Sequence, residues 1–340
     1  MVSFKPKQLS KKLLSPLNDR AQEVIIYRFG LGGDASRRTL ESVGEKYGIT
    51  RERVRQIENA AISAIRKSDV FTEESTSFDE LNEFIDSLGA ILAEEELLPM
   101  FAKDKATQNH IHFHLVLGDS FVKHKEDEDF ISRWTTDEDL ANKVYGSLKN
   151  LYESLGDDEI IPESEMISRF LDHLKGISEK YKNEEILKRW LSMSKNLDAN
   201  PLNEWGRAES PNVNVRGVRD YSYLVMKRHG SPLHFREVAK SIAETFDRKA
   251  HMATTHNELI KDKRFVLVGR GMYGLSEWGY TPGVVKDVIK NILKKEGPLS
   301  KEEVVDRVMK ERYLKKNTIL VNLQNPKYFK KNKDGKYTVA

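Results

Sequence analysis

Three of the four tryptophans stand in one local context, Ser132-Arg-Trp134, Asn203-Glu-Trp205 and Ser276-Glu-Trp278, 71 and 73 residues apart. Phe121 and Phe265 each precede the nearest of these by 13 residues, and His112 and His256 precede it by 22. Self-similarity at such a period marks a module repeated along the chain, each copy a small supersecondary unit.

The segment 216–280 shows the module best. Val218, Tyr221, Leu224 and Val225 form a helical stripe. A second helix follows Pro232-Leu-His-Phe235 with Val238, Ile242 and Phe246 on its apolar face, and a third spans His251–Lys261. Arg264–Val268, the turn Gly269-Arg-Gly271 and Met272–Trp278 then read as a β-hairpin. Three helices and a hairpin make a winged helix. Residues 284–340 repeat the plan, with Asp334-Gly335 as a strong hairpin turn. Residues 76–136 and 140–210 fit it less closely. The expected fold is mostly α with short β-hairpins: a helix-turn-helix over 1–70, then tandem winged helices over 76–136, 140–210, 216–280 and 284–340.

Residues 39–58 carry the chemistry. Leu40, Val43 and Tyr47 share one face of a first helix, Gly48 opens a turn, and Thr50 is placed to cap a second helix. In that helix Val54, Ile57, Ala61 and Ile65 turn inward at 3–4 spacing, leaving Arg51, Glu52, Arg55 and Gln56 outward on its first two turns. A recognition helix offers those turns to the major groove. Arginine reads guanine, glutamate accepts from cytosine N4 and glutamine suits adenine. Surface Glu–Arg pairing at i, i+3 is the plainer alternative.

Residues 13–66 resemble region 4 of primary bacterial sigma factors, through Leu17-Asn-Asp-Arg20, Val24–Gly30, Thr39-Leu40, Val43-Gly44 and Thr50-Arg-Glu-Arg-Val-Arg-Gln-Ile-Glu58. The resemblance implies base contacts from Arg51, Glu52, Arg55 and Gln56 to a minus-35 promoter element. It implies phosphate contacts from Arg20, Arg28 and Thr39, and docking on the flap of the RNA polymerase β subunit. After the recognition helix the family continues with a basic run, whereas this chain reads Ala60-Ala-Ile-Ser-Ala-Ile-Arg66. Arg66 alone keeps a charge for phosphate there, so backbone affinity should be weaker by a few contacts. No strand-melting aromatic helix precedes the match, so the chain is expected not to be a self-sufficient sigma factor.

Residues 216–280 resemble the HARE-type winged helix, as in the polymerase delta subunit, through Ser231–Phe235, Asp262–Phe265 and Gly274–Trp278. If this module meets DNA, Thr254, Thr255 and Lys261 on its third helix and Arg270 in its wing are the candidates; docking a protein is the alternative.

Charge is unevenly divided. Residues 1–70 have net charge +6, 71–210 net −16 and 211–340 net +13. The ends suit a polyanion and the middle would repel one. The chain has no cysteine, no secretory h-region and no apolar run long enough for a membrane, which fits a cytoplasmic, nucleoid-associated setting. His110, His112 and His114 alternate, but on a helix they do not converge as metal ligands. No metal, cofactor or catalytic residue is expected, and an enzyme is disfavoured. The leading reading is a sigma-like, sequence-specific transcription regulator binding double-stranded DNA and, through the flap, RNA polymerase. Two others stand beside it: a polymerase-binding protein that does not read DNA specifically, and the DNA-reading subunit of a restriction or repair system.

Overall fold

The structure is a computed structural model describing residues 2–280 and 283–340. The chain divides into two compact units, residues 1–199 with 203–209, and residues 200–202 with 210–340.

The first unit opens with α1 (Pro6–Leu14), α2 (Asp19–Phe29), α3 (Leu40–Tyr47) and α4 (Arg51–Arg66). Their ends follow local chemistry. Asn18, Thr39 and Thr50 accept hydrogen bonds from the first-turn amides of Ala21, Ser42 and Arg53, each such cap stabilising its helix by about 1 kcal/mol. Gly30 and Gly48 end α2 and α3 in the left-handed region, at φ 64° in both. Val24, Val43 and Val54 form the small core that fixes α3 against α4.

Two further helices, α5 (Asp69–Glu73) and α6 (Ser75–Ser87), lead into β1 (Ile91–Ala93), α7 (Glu94–Phe101), α8 (Lys105–Leu117), β2 (Val122–His124) and β3 (Arg133–Thr135). The order helix, strand, helix, helix, hairpin recurs in α9 (Glu138–Ser154), β4 (Ile160–Pro162), α10 (Glu163–His173), α11 (Glu184–Leu191), β5 (Leu197–Ala199) and β6 (Glu204–Arg207). In the second unit it recurs as α12 (Val218–His229), β7 (Leu233–His234), α13 (Phe235–Phe246), α14 (Met252–Lys261), β8 (Phe265–Gly269) and β9 (Met272–Leu275). Last come α15 (Val285–Glu296), α16 (Lys301–Glu311), α17 (Lys316–Leu323), β10 (Phe329–Lys331) and β11 (Tyr337–Val339), with Leu299 bridged to Tyr337 in place of a first strand.

These are tandem winged helices, and the sheets show it in register. In each three-stranded sheet the last strand lies in the middle: β1-β3-β2, β4-β6-β5 and β7-β9-β8. An aliphatic residue on the first strand faces an aromatic on that middle strand every time, Leu92 with Trp134, Ile161 with Trp205 and Leu233 with Tyr273. The Leu299–Tyr337 bridge is the fourth instance. The tryptophan spacing therefore mislabels one position. Trp278 lies past β9, in the 3-10 turn Ser276–Trp278, and Tyr273 holds the place of Trp134 and Trp205.

Neighbouring modules share packing. α8 is buried almost all round: Phe113 and Leu117 join the core of α1, α2 and α4, while Ile111 and Leu115 join that of α6, α7 and the sheet. α11 buries Ile186, Leu187 and Trp190 together with Ala90 and Ile91 of the preceding module. In the second unit Tyr313 N donates to Val268 O at 2.8 Å and buried Arg312 donates to the carbonyls of Leu267 and Gly283. That closes one edge of β8, which would otherwise invite strand pairing.

Candidate nucleic-acid interface

α4 presents Arg51, Glu52, Arg55 and Gln56 to solvent on its first two turns, while Val54, Ala61 and Ile65 are buried and Ile57 half-buried behind them. The inward face is what the 3–4 spacing calls for, and it aims the four polar side chains to one side. Glu52 and Arg55 form a two-bond pair, Nε to Oε2 at 3.0 Å and Nη2 to Oε1 at 2.7 Å. The bond from Arg55 holds the Glu52 carboxyl below its usual pKa and lifts that of Arg55. Both partners are exposed, a setting in which an ion pair contributes little, so a base edge can separate them at small cost. Arg53 also lies on this surface and donates to Gln56 Oε1 at 3.0 Å, a neighbour that sequence spacing alone does not single out.

The residues assigned to phosphate divide three ways. Arg20 is exposed, its guanidinium 5.8 Å from the centre of the Tyr47 ring. Thr39 is exposed at the cap of α3. Arg28 is half-buried, with Nε donating to Glu58 at 2.7 Å and Nη1 to the Arg38 carbonyl. It ties α2 to α4 and still borders solvent. Arg66 is turned elsewhere. Its Nε and Nη2 donate to Leu117 O and Val116 O, both at 2.9 Å, and its Nη1 faces Asp119 at 3.4 Å. Its geometry is that of a cation closing the C-terminus of α8.

α8 and α11 hold the third-helix position of the first two winged helices. α8 is built into protein cores, and the solvent face that α11 keeps is led by the exposed Glu184 and Glu185, which would repel a phosphate backbone. The basic residues of α11 are committed to carboxylates, Lys188 to Glu163 and Glu184, and Arg189 to Glu96 at 2.6 Å.

In the second unit Thr254 and Lys261 are exposed on α14, and Arg270 is exposed at the turn between β8 and β9. Thr255 corrects the sequence reading: it is fully buried, and its hydroxyl donates to His251 O at 3.1 Å. A one-residue step along a helix turns about 100°, enough to carry it from the surface to the core. The outer face of α14 is partly apolar, with Met252 55% and Ile260 61% exposed. Sequence reasoning passed over a stronger basic surface. Lys315 and Lys316 at the start of α17 and Lys330, Lys331, Lys333 and Lys336 around the β10–β11 hairpin are all exposed, and none forms an ion pair among the described residues. Their density around Asp334-Gly335 was the available signal.

The three alternating histidines lie on α8 in the packed interior. The Ser10 hydroxyl sits between His110 Nδ1, at 2.8 Å, and His114 Nε2, at 2.9 Å. Burial pushes His112 and His114 down to about 3. Among the described residues no three His, Asp or Glu side chains are grouped to hold a metal, and no helix is long and apolar enough to cross a membrane.

The family of sigma-70 region 4 matches residues 13–67. Over 56 residues, 16% of this chain, the sequence is 52% identical to "RNA polymerase sigma factor RpoD" of Helicobacter pylori, in strains 26695 and J99 alike. The matched stretch is 8% of the length of each of those proteins. Residues 13–67 are thus similar to region 4 of the sigma-70 factors, a likeness that stops where α5 is about to begin.

Proposed function

We propose that this chain is a DNA-binding transcription regulator whose N-terminal module reads minus-35-like promoter DNA through α4, while its winged helices hold DNA or polymerase. The observation that carries this reading is the solvent-facing set Arg51, Glu52, Arg55 and Gln56 on the leading turns of a helix capped by Thr50 and backed by Val54. Arg20, Arg28 and Thr39 would hold the flanking phosphates. We divide the chain into modules at 1–70, 76–136, 140–210, 216–280 and 284–340. The middle pair, acidic and with third helices either buried (α8) or acidic on the outer face (α11), serve as connectors or protein contacts, and the lysines around α17 and its hairpin take up backbone charge. Chemistry is not part of this reading, which has no catalytic residue and works in the cytoplasm at the nucleoid.

A second reading, docking on polymerase without specific DNA reading, is favoured by one feature. A cleft of about 400 Å³ between α2 and α4 is lined by Leu17, Ala21, Ile57, Ala60, Ala61 and Ala64, together with Arg20 and Arg53. It lies where the small residues replace a basic run, and it would accept an apolar side chain of the β flap. Footprinting on fragments of the host genome without polymerase separates the two. A protected, sequence-defined site supports the first reading. Uniform binding, together with retention of polymerase on the immobilised protein, supports the second.

A further inference from the structure

A second cleft, of about 500 Å³, opens between the helix-turn-helix and the first winged helix, lined by Arg28, Arg37, Arg38, Thr39, His112 and Lys123, with Glu58 among its walls and Glu94 beside His112 and Lys123. Most of these cations have partners. Arg28 meets Glu58, Arg38 meets Asp34 at 3.0 Å, and Lys123 meets Glu94. Arg37 differs: its Nε donates to Asn109 Oδ1 at 2.8 Å, and among the described residues it forms no ion pair. Burial lowers its pKa from the usual guanidinium value. Arg37 nonetheless remains exposed, and with its Nε held by Asn109 its planar fork suits two oxygens of a phosphate. Two further features converge here. The buried His112 has no hydrogen-bond partner at Nδ1. Thr39 caps the eight-residue α3, whose N-terminal dipole favours negative charge.

We propose that this cleft binds a backbone phosphate of the duplex that α4 reads, held by Arg37 from the loop before α3 and by Lys123 from the first wing, which turns from Glu94 to meet it. The inference rests on the reading of α4 as a DNA-facing helix, and it adds a contact from outside residues 13–67. The first winged helix, with its third helix buried, would then meet DNA through β2. The shared chemistry is a phosphate group; the committed source is the DNA backbone, because the cleft borders Arg28 and Thr39 on the flank of the helix-turn-helix.

The test uses the full chain carrying Arg37→Gln, Lys123→Gln or Arg37→Lys, titrated against specific and random duplexes across a range of salt. Each glutamine variant is expected to lower the log–log salt slope by about 0.9 and to weaken both duplexes alike, about fivefold near 0.15 M salt. Arg37→Lys should keep most of the slope, because it keeps the charge while giving up the Asn109 bond. Unchanged slopes in both glutamine variants overturn the proposal. Arg55→Ala is the separating arm: if it relaxes base preference while the cleft variants do nothing, the cleft alone fails. If the wild-type chain binds no duplex, the reading beneath it fails as well. Inorganic phosphate is titrated in parallel. Phosphate binding abolished by Arg37→Gln with the duplex slope untouched makes this a small-anion site and also overturns the proposal.

Discussion

Arg37 and Asn109 lie 72 residues apart and are joined by a hydrogen bond of 2.8 Å from the arginine Nε to the amide oxygen. The Asn109 amide nitrogen donates in turn to Gly30 O at 3.0 Å and Ala35 O at 2.8 Å. One buried asparagine on α8 thereby holds the loop that positions α3, including Ala35 at φ 50°. The helix-turn-helix is set by the winged helix that follows it.

Asn109→Ala removes those bonds and strands two carbonyls. The expected loss is about 1–3 kcal/mol of stability, read as a lower denaturation midpoint. Faster amide exchange should be confined first to residues 30–38. A wild-type midpoint with wild-type exchange in that loop would remove Asn109 from this role.

Arg55→Ala should leave the midpoint unchanged, because its partner Glu52 is exposed at i, i+3 and such pairs contribute little. Binding should weaken by about 1–3 kcal/mol, with preference relaxed at one base pair. Selection from a randomised duplex library measures this, and an unaltered preference would take α4 out of base reading.

Acid should begin to loosen the first unit above the range where carboxylates titrate. His112 and His114 are pushed down to about 3 from the usual 6.5, chiefly by burial. His110 is lowered for the same reason, with Lys7 adding to it. The unfolded chain therefore binds more protons between about pH 6.5 and 3, and stability falls as pH drops through that window. Both histidines add to that slope. Arg37 and Lys123 oppose protonation of His112 and Glu94 favours it, so His114, facing Ser10 and His110, is the cleaner probe. His114→Leu should flatten the pH dependence of the midpoint; a slope equal to wild type would contradict it.

Replacing Lys330, Lys331 and Lys333 together by Gln should reduce the salt slope of binding to random duplex by about 0.9 for each phosphate no longer neutralised. These side chains are exposed and outside any described ion pair, so folding should be unaffected. Equal slopes in variant and wild type would move the nonspecific grip on DNA elsewhere.

The helix-turn-helix was legible because its determinants are local. Thr39, Gly48 and Thr50 sit within a dozen residues of one another, and each controls backbone geometry at its own helix end. The inward stripe of Val54, Ala61 and Ile65 is a matter of helical period. Thr255 was misread because its neighbours in sequence are polar; what buries it is the packing of α14 within its module. Trp278 was misaligned for a related reason. Spacing counts residues, whereas the sheet aligns hydrogen-bonded partners, and Leu233 pairs with Tyr273.

From sequence alone came the helix-turn-helix, the winged-helix repeat, the polarity of α4 and the basic–acidic–basic division of the chain, since each is written in side-chain type and short-range period. Tertiary structure decided which groups remain free to act. Arg66 and Arg28 look alike in sequence as surface cations, yet one closes α8 through Val116 and Leu117 and the other bridges to Glu58. α8 and α14 hold the same place in the module, yet only α14 keeps a solvent face. A guanidinium or a helix face is spent or spared by partners distant in the chain, and the Asn109 bond that orients Arg37 exists only once the chain around it has folded.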